Sequence, residues 1–111
     1  MSGIVNHWKF QRYSALINLI LAIWLAVSVL CLHDYSFQET ISWIKSPFNA
    51  LFLSIFFISS FIHMSLGIQV VLEDYVSNKL LRNRLIVTIK SFSWLLLVLS
   101  IFLILKITFL N

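Results

Sequence analysis

The sequence predicts an all-α integral membrane protein with three transmembrane helices, and three observations lead there. Of 111 residues, 60% are hydrophobic and 11% charged, with a mean hydropathy of +0.97. A water-soluble domain carries about 25% charged and about 45–50% apolar residues. The polar surface is too scarce to cover a soluble fold of this size, which excludes a disordered chain, a disulfide scaffold and a soluble nucleic-acid module. Second, three apolar runs, at about 13–32, 48–72 and 85–110, each reach the ~20 residues that a helix needs to cross the hydrocarbon. Third, no run alternates with the two-residue period of a membrane β-strand. Backbone groups in lipid must be satisfied internally, so the runs are read as helices. The whole chain, 1–111, is expected to form one membrane domain.

The first polar stretch, 1–11, is too short for a cleavable targeting segment and lacks the pattern of one. The run 13–32 is uncharged and ends near Cys31. A lone cysteine permits no internal disulfide, and Cys31 is expected to pack as a small apolar group near the outer surface. The first connection, 33–47, holds Asp34, Glu39 and Lys45. Its middle, 35–44, suits a short interfacial helix with Phe37, Ile41, Trp43 and Ile44 towards lipid. Ser46-Pro47 suits the start of the second long helix, because proline fits a first turn and breaks an interior. The second run contains His63 and no formal charge. The second connection, 73–84, holds Glu73, Asp74, Lys79, Arg82 and Arg84. The third run is broken only by Lys90 and Lys106, which are expected near its ends, where long side chains snorkel to the interface.

The net charge of +4 and pI of about 9.6 report orientation before they report ligands. No basic patch with interleaved aromatics points to nucleic acid. Lys9 and Arg12 at one end, and Lys79, Arg82 and Arg84 with Lys90 nearby, outweigh Lys45 and Lys106. The positive-inside rule then places the N-terminus and the second connection inside, and the first connection and C-terminus outside. The similar tetrapeptides at 32–35 and 72–75 fall on opposite sides and mark no repeat.

His63 is the ionisable group deep in an apolar run. With Asp74 at the inner interface, about 16 Å along the axis, His63 is expected near the bilayer midplane. A polar group there faces protein, water or a cofactor. Gly67 shares its face, with Ser59 and Ser60 one turn away. The glycine leaves room for a flat group such as a porphyrin, or serves as a plain helix contact. Imidazole ligates haem iron well, or His63 hydrogen-bonds a serine or carbonyl of a neighbouring helix. His7 and His33 lie at helix ends, so a second axial ligand is expected from another chain. Asp74 and Tyr75 adjoin at the inner end of helix two. A tyrosine hydroxyl donates well to a quinone carbonyl and a carboxylate can orient donors or pass protons, although both residue types are ordinary at an interface. Arg12 suits a haem propionate or a quinone, and equally suits topology alone. Trp8, Trp43 and Trp94 read as interfacial or packing aromatics. No phosphate loop, dinucleotide fingerprint, cysteine pair or nucleophile elbow is present, so the chain is not expected to catalyse alone.

His63-x3-Gly67-x6-Asp74-Tyr75, preceded by His7-Trp8-x2-Gln11-Arg12-x-Ser14-Ala15, resembles the small membrane-anchor chain of succinate dehydrogenase, the cytochrome b556 small subunit of respiratory complex II. The resemblance covers nearly the whole chain, with the first connection and third helix contributing only shape. Many relatives carry a proline within helix one, and this chain has none there. The resemblance implies half of a heterodimeric haem-binding anchor. It implies His63 as an axial ligand of haem b, shared with a histidine of a second anchor subunit, the cytochrome b556 large subunit. Asp74 and Tyr75 match the ubiquinone-site pair, and Arg12 matches an arginine near that site and the propionates. Iron–sulfur and flavoprotein subunits are implied partners, with electrons passing from succinate oxidation to the quinone pool in a mitochondrial or bacterial inner membrane. The richness in Ile, Phe, Leu, Asn and Lys is the bias of an AT-rich genome, organellar or of an intracellular alphaproteobacterium. Two other classes stay open: a structural small subunit of another membrane complex, and a small pore. The polar stripes, Ser14, Asn18 and Ser28 on helix one and Ser54, Ser59, Ser60, His63 and Gln69 on helix two, are thin for a pore.

Overall fold

The computed structural model describes residues 2–110, except the side chains of Ser2 and His7. The expectation for His7 therefore lies outside the described side chains. The chain forms α1 (Ser2–Cys31), α2 (Phe37–Lys45), α3 (Pro47–Tyr75) and α4 (Lys79–Phe109), with no strand among the described residues. The three long helices are each long and apolar enough to cross a membrane.

Local chemistry sets the breaks. Ser36 Oγ accepts from the Glu39 N–H at 3.2 Å, and Glu39 Oε2 accepts from the Ser36 N–H at 2.8 Å. This reciprocal cap starts α2 and stabilises it by about 1 kcal/mol. Pro47 occupies the first turn of α3, where its missing N–H costs nothing. Asn78 Oδ1 accepts from the Leu81 N–H at 3.1 Å and starts α4. All three long helices run further at one end than the apolar runs suggest. The stretch read as an N-terminal tail is helical from Ser2, and the connection expected over 73–84 shrinks to 76–78. The extensions carry charge but no proline, and Lys, Arg, Gln and Leu are good helix formers.

α3 is central. α1 and α4 each run antiparallel along it, and they do not pack on one another among the described residues. At the C-terminal end of α1, α2 wedges against α3 and α4. There Ala50, Leu53 and Ile104 form a buried cluster against Trp24, Leu25, Trp43, Ile44 and Phe57. The Trp24 and Trp43 rings stack at 5.7 Å, and Trp24 meets Phe52 edge-on at 5.4 Å. Trp43 and Ile44 thus face the core rather than lipid, because α2 has this cluster beneath it. Phe37 does face outward, and Cys31 is exposed rather than packed. Large apolar side chains such as Leu30, Phe92, Phe102 and Phe109 remain uncovered along the long helices, as lipid or a partner helix requires.

Side-chain register fixes the relative heights. Gln11 lies against Gly67, Ser14 against Ser59 and His63, and Asn18 against Ser60. Arg12 therefore stands level with residues 65–66. Lys90 lines the same cavity as Ser65 and Leu66, so it stands at that level too. From this level the segments 12–31, 47–66 and 90–109 each run about 30 Å to the far end of their helix, the thickness of the hydrocarbon. The residues beyond it on the near side hold Lys9, Glu73, Asp74, Lys79, Arg82 and Arg84. His63 thus lies about 4 Å along the axis from the level of Arg12 and Lys90, towards the far end of the bundle. Lys90 sits well within α4 rather than near its start.

Candidate functional site

The facing stripes of α1 and α3 build the site. Gln11, Ser14 and Asn18 recur at three- and four-residue spacing, so they share one face of α1. Ser59, His63 and Gly67 do the same on α3. Ser59 Oγ–H donates to the Ser14 carbonyl at 3.0 Å, and Ser60 Oγ–H donates to Asn18 Oδ1 at 3.3 Å. Ser59 and Ser60 of one helix thus bond Ser14 and Asn18 of the other across the helix interface. Each such bond contributes about 0.6 kcal/mol in a membrane bundle.

His63 Nδ1 lies 3.3 Å from Ser14 Oγ. The Ser14 hydroxyl donates its single proton to the Gln11 carbonyl at 3.1 Å. With that proton on the Gln11 carbonyl, the serine oxygen is left to accept from His63, an arrangement that favours the Nδ1–H tautomer with the lone pair on Nε2. Nε2 has no hydrogen-bond partner among the described residues. A histidine whose second nitrogen donates to a neighbour is the usual arrangement of a metal ligand. The serine bond anticipated as an alternative to ligation is present, and it engages Nδ1 and leaves Nε2 without a partner among the described residues. Ser14 is buried and His63 half-buried.

Gly67 faces Gln11, and a Cβ there would meet only Gln11 Nε2, at 3.5 Å. Within this chain Gly67 is a helix contact, and the room beside it is taken by Gln11. Gln11 Oε1 is buried without a partner, an acceptor that a group outside the chain is left to satisfy.

The other expected residues stand apart. Arg12 is two residues from Ser14, roughly 200° around α1, so it faces away from His63. Its guanidinium lies 5.0 Å from the Trp8 ring centroid on an exposed face. Asp74 shares the His63 face of α3 but lies about 16 Å along the axis. Tyr75 follows it in the last turn and is 84% exposed. His33 is at the far end of α1, where Nδ1 lies 2.8 Å from the Leu30 carbonyl and Nε2 lies 3.2 Å from Asp34. No group of three His, Cys, Asp or Glu that could hold a metal ion occurs among the described residues. The chain supplies one imidazole and an open carboxylate–phenol pair, half of any two-sided site. The pairing of Ser14 and Gln11 with the His63 stripe was not read from the sequence, although their spacing on α1 carried the signal.

Comparison with known proteins agrees with this architecture. Residues 4–105 match the family model described as succinate dehydrogenase/fumarate reductase transmembrane subunit. The chain is 40% identical over 93 residues to a succinate dehydrogenase hydrophobic membrane anchor subunit of Rickettsia bellii, covering 84% of this chain and 74% of the relative. It is 38% identical over 87 residues to the subunit of the same name from Rickettsia felis, covering 78% and 72%. With that from Rickettsia conorii it shares 35% over 88 residues, covering 78% and 70%.

Proposed function

Because this chain belongs to the succinate dehydrogenase/fumarate reductase transmembrane-subunit family, as a membrane anchor, we propose that it would contribute one ligand to a haem b and one wall of a ubiquinone site. The observation that carries this reading is the Ser14–His63 bond, which favours the tautomer with the lone pair on Nε2. His63 is the residue that holds the iron, and Ser14 fixes its tautomer and ring plane. The second ligand would come from the companion anchor subunit, since no other suitable donor stands at that depth among the described residues. The haem supplies one-electron storage between the iron–sulfur subunit and quinone.

Tyr75 and Asp74 form the quinone-side pair. The phenol donates a hydrogen bond to a quinone carbonyl oxygen, and the carboxylate orients that donor and moves protons. A phenol this exposed becomes a binding group only when another subunit covers it. The end of the bundle that carries Asp74 and Tyr75 is therefore the docking end for the iron–sulfur and flavoprotein subunits. Arg12, stacked on Trp8 on the outer face of α1, is placed to meet the companion anchor, a propionate or the quinone rather than His63. Succinate is oxidised elsewhere in the complex, and this chain anchors that machinery in the bacterial or mitochondrial inner membrane.

The test is a reduced-minus-oxidised spectrum of the complex purified in mild detergent, with its subunits identified. A b-type band together with a flavoprotein and an iron–sulfur protein supports the reading. The same partners without haem leave the anchor role and make His63 a packing residue.

A further inference from the structure

We propose that the groove between α3 and α4 at Lys90 binds the phosphodiester of an anionic phospholipid from the leaflet on the N-terminal side. A cavity of about 190 Å³ opens there, lined by Lys90, Ser93 and Ser65 with apolar walls that include Phe61, Leu66 and Trp94. Ser93 is 4% exposed, and its hydroxyl has no hydrogen-bond partner. Lys90 makes no hydrogen bond or ion pair among the described residues, and no carboxylate lines the cavity. A cation and an unsatisfied buried donor thus face one space that holds no acid.

Height identifies the occupant. Lys90 stands level with Arg12, at the charged end of the ~30 Å apolar slab, where the phosphates of a leaflet lie. Basic pockets between transmembrane helices at this depth suit anionic lipid headgroups. The apolar walls continue along exposed Trp94 and Val98 towards the bilayer interior, a path for an acyl chain. The groove lies on the α4 flank of α3, away from the His63 stripe that faces α1. The inference therefore needs only the membrane placement of the chain and stands apart from the haem and quinone assignments.

The experiment is native mass spectrometry of the purified complex after detergent delipidation, followed by its thermal unfolding in nanodiscs of phosphatidylcholine with or without phosphatidylglycerol. The wild-type complex is expected to retain one more phosphatidylglycerol per chain than Lys90→Gln, with Lys90→Arg retaining it. Phosphatidylglycerol is expected to raise the unfolding temperature of the wild type and not of Lys90→Gln. Ser93→Ala keeps the cation and is expected to release the lipid at lower collision energy, so it carries the test where Lys90→Gln fails to assemble. Equal retention by the wild type and both neutralising or truncating variants overturns the proposal. A photo-crosslinking residue in place of Trp94 that captures a polypeptide of the complex instead of phospholipid also overturns it.

Discussion

The Nδ1 atom of His63 lies 3.3 Å from the hydroxyl oxygen of Ser14, which spends its own proton on the carbonyl of Gln11 at 3.1 Å. One turn of α1 thereby favours one tautomer of a histidine on α3, the tautomer with the lone pair on Nε2.

Ser14→Ala removes that orienting bond and leaves the backbone acceptor at residue 14 available to Ser59. The complex is expected to assemble with its haem, at a modest cost in stability. Losing about 0.6 kcal/mol from one redox state corresponds to a shift on the order of 25 mV for a one-electron centre. A redox titration of the haem band reads this directly, and a potential identical to the wild type would show that Ser14 does not tune His63.

Tyr75→Phe deletes one hydroxyl from a side chain that is 84% exposed. Assembly and the haem spectrum are expected to stay unchanged, with quinone reduction falling at least ~10-fold, as the loss of a hydrogen-bond donor to a reacting carbonyl implies. Succinate oxidation measured with an artificial acceptor should be preserved. Normal quinone turnover would remove Tyr75 from the site.

Gly67→Ala and Gly67→Leu separate space inside the chain from space outside it. A Cβ meets Gln11 Nε2 at 3.5 Å, an ordinary contact, so the alanine variant should accumulate in membranes like the wild type. The leucine variant must displace Gln11 and should lower accumulation severalfold. An altered haem spectrum in the alanine variant alone would place the porphyrin against this glycine.

Trp24→Ala should be the most damaging change at the far end of the bundle. It removes the stack on Trp43 and the edge contact with Phe52, and truncating a tryptophan packed in a core costs about 3–5 kcal/mol. The expected readout is a lower unfolding temperature of the purified complex with faster proteolysis within α2.

Orientation is open to a labelling test. Ser77→Cys in a Cys31→Ser background places a single thiol in the short turn between α3 and α4. The positive residues around it predict protection from a membrane-impermeant maleimide added to intact cells, and reaction after the membrane is opened. Labelling of intact cells would invert the topology.

The sequence by itself determined the class, the number of spans and the helix breaks. Those depend on local quantities: apolar length against bilayer thickness, and a proline at a first turn. It also carried the residues of the candidate site, because an ionisable group in an apolar run stands out wherever it falls. Helix ends were less legible, since Lys9, Lys79, Arg82 and Arg84 read as loop charge yet continue a helix that emerges from the lipid. Only the tertiary structure decided which residues meet. The register of α1 on α3 pairs Ser14 with His63, turns Arg12 away from it, and puts Gln11 into the space beside Gly67. The register of α3 on α4 carries Lys90 to the height of Arg12, and α2 turns Trp43 inward onto Trp24. These are relationships between helices far apart in the chain, set by the packing of whole faces, and the residue spacing within any one helix does not contain them.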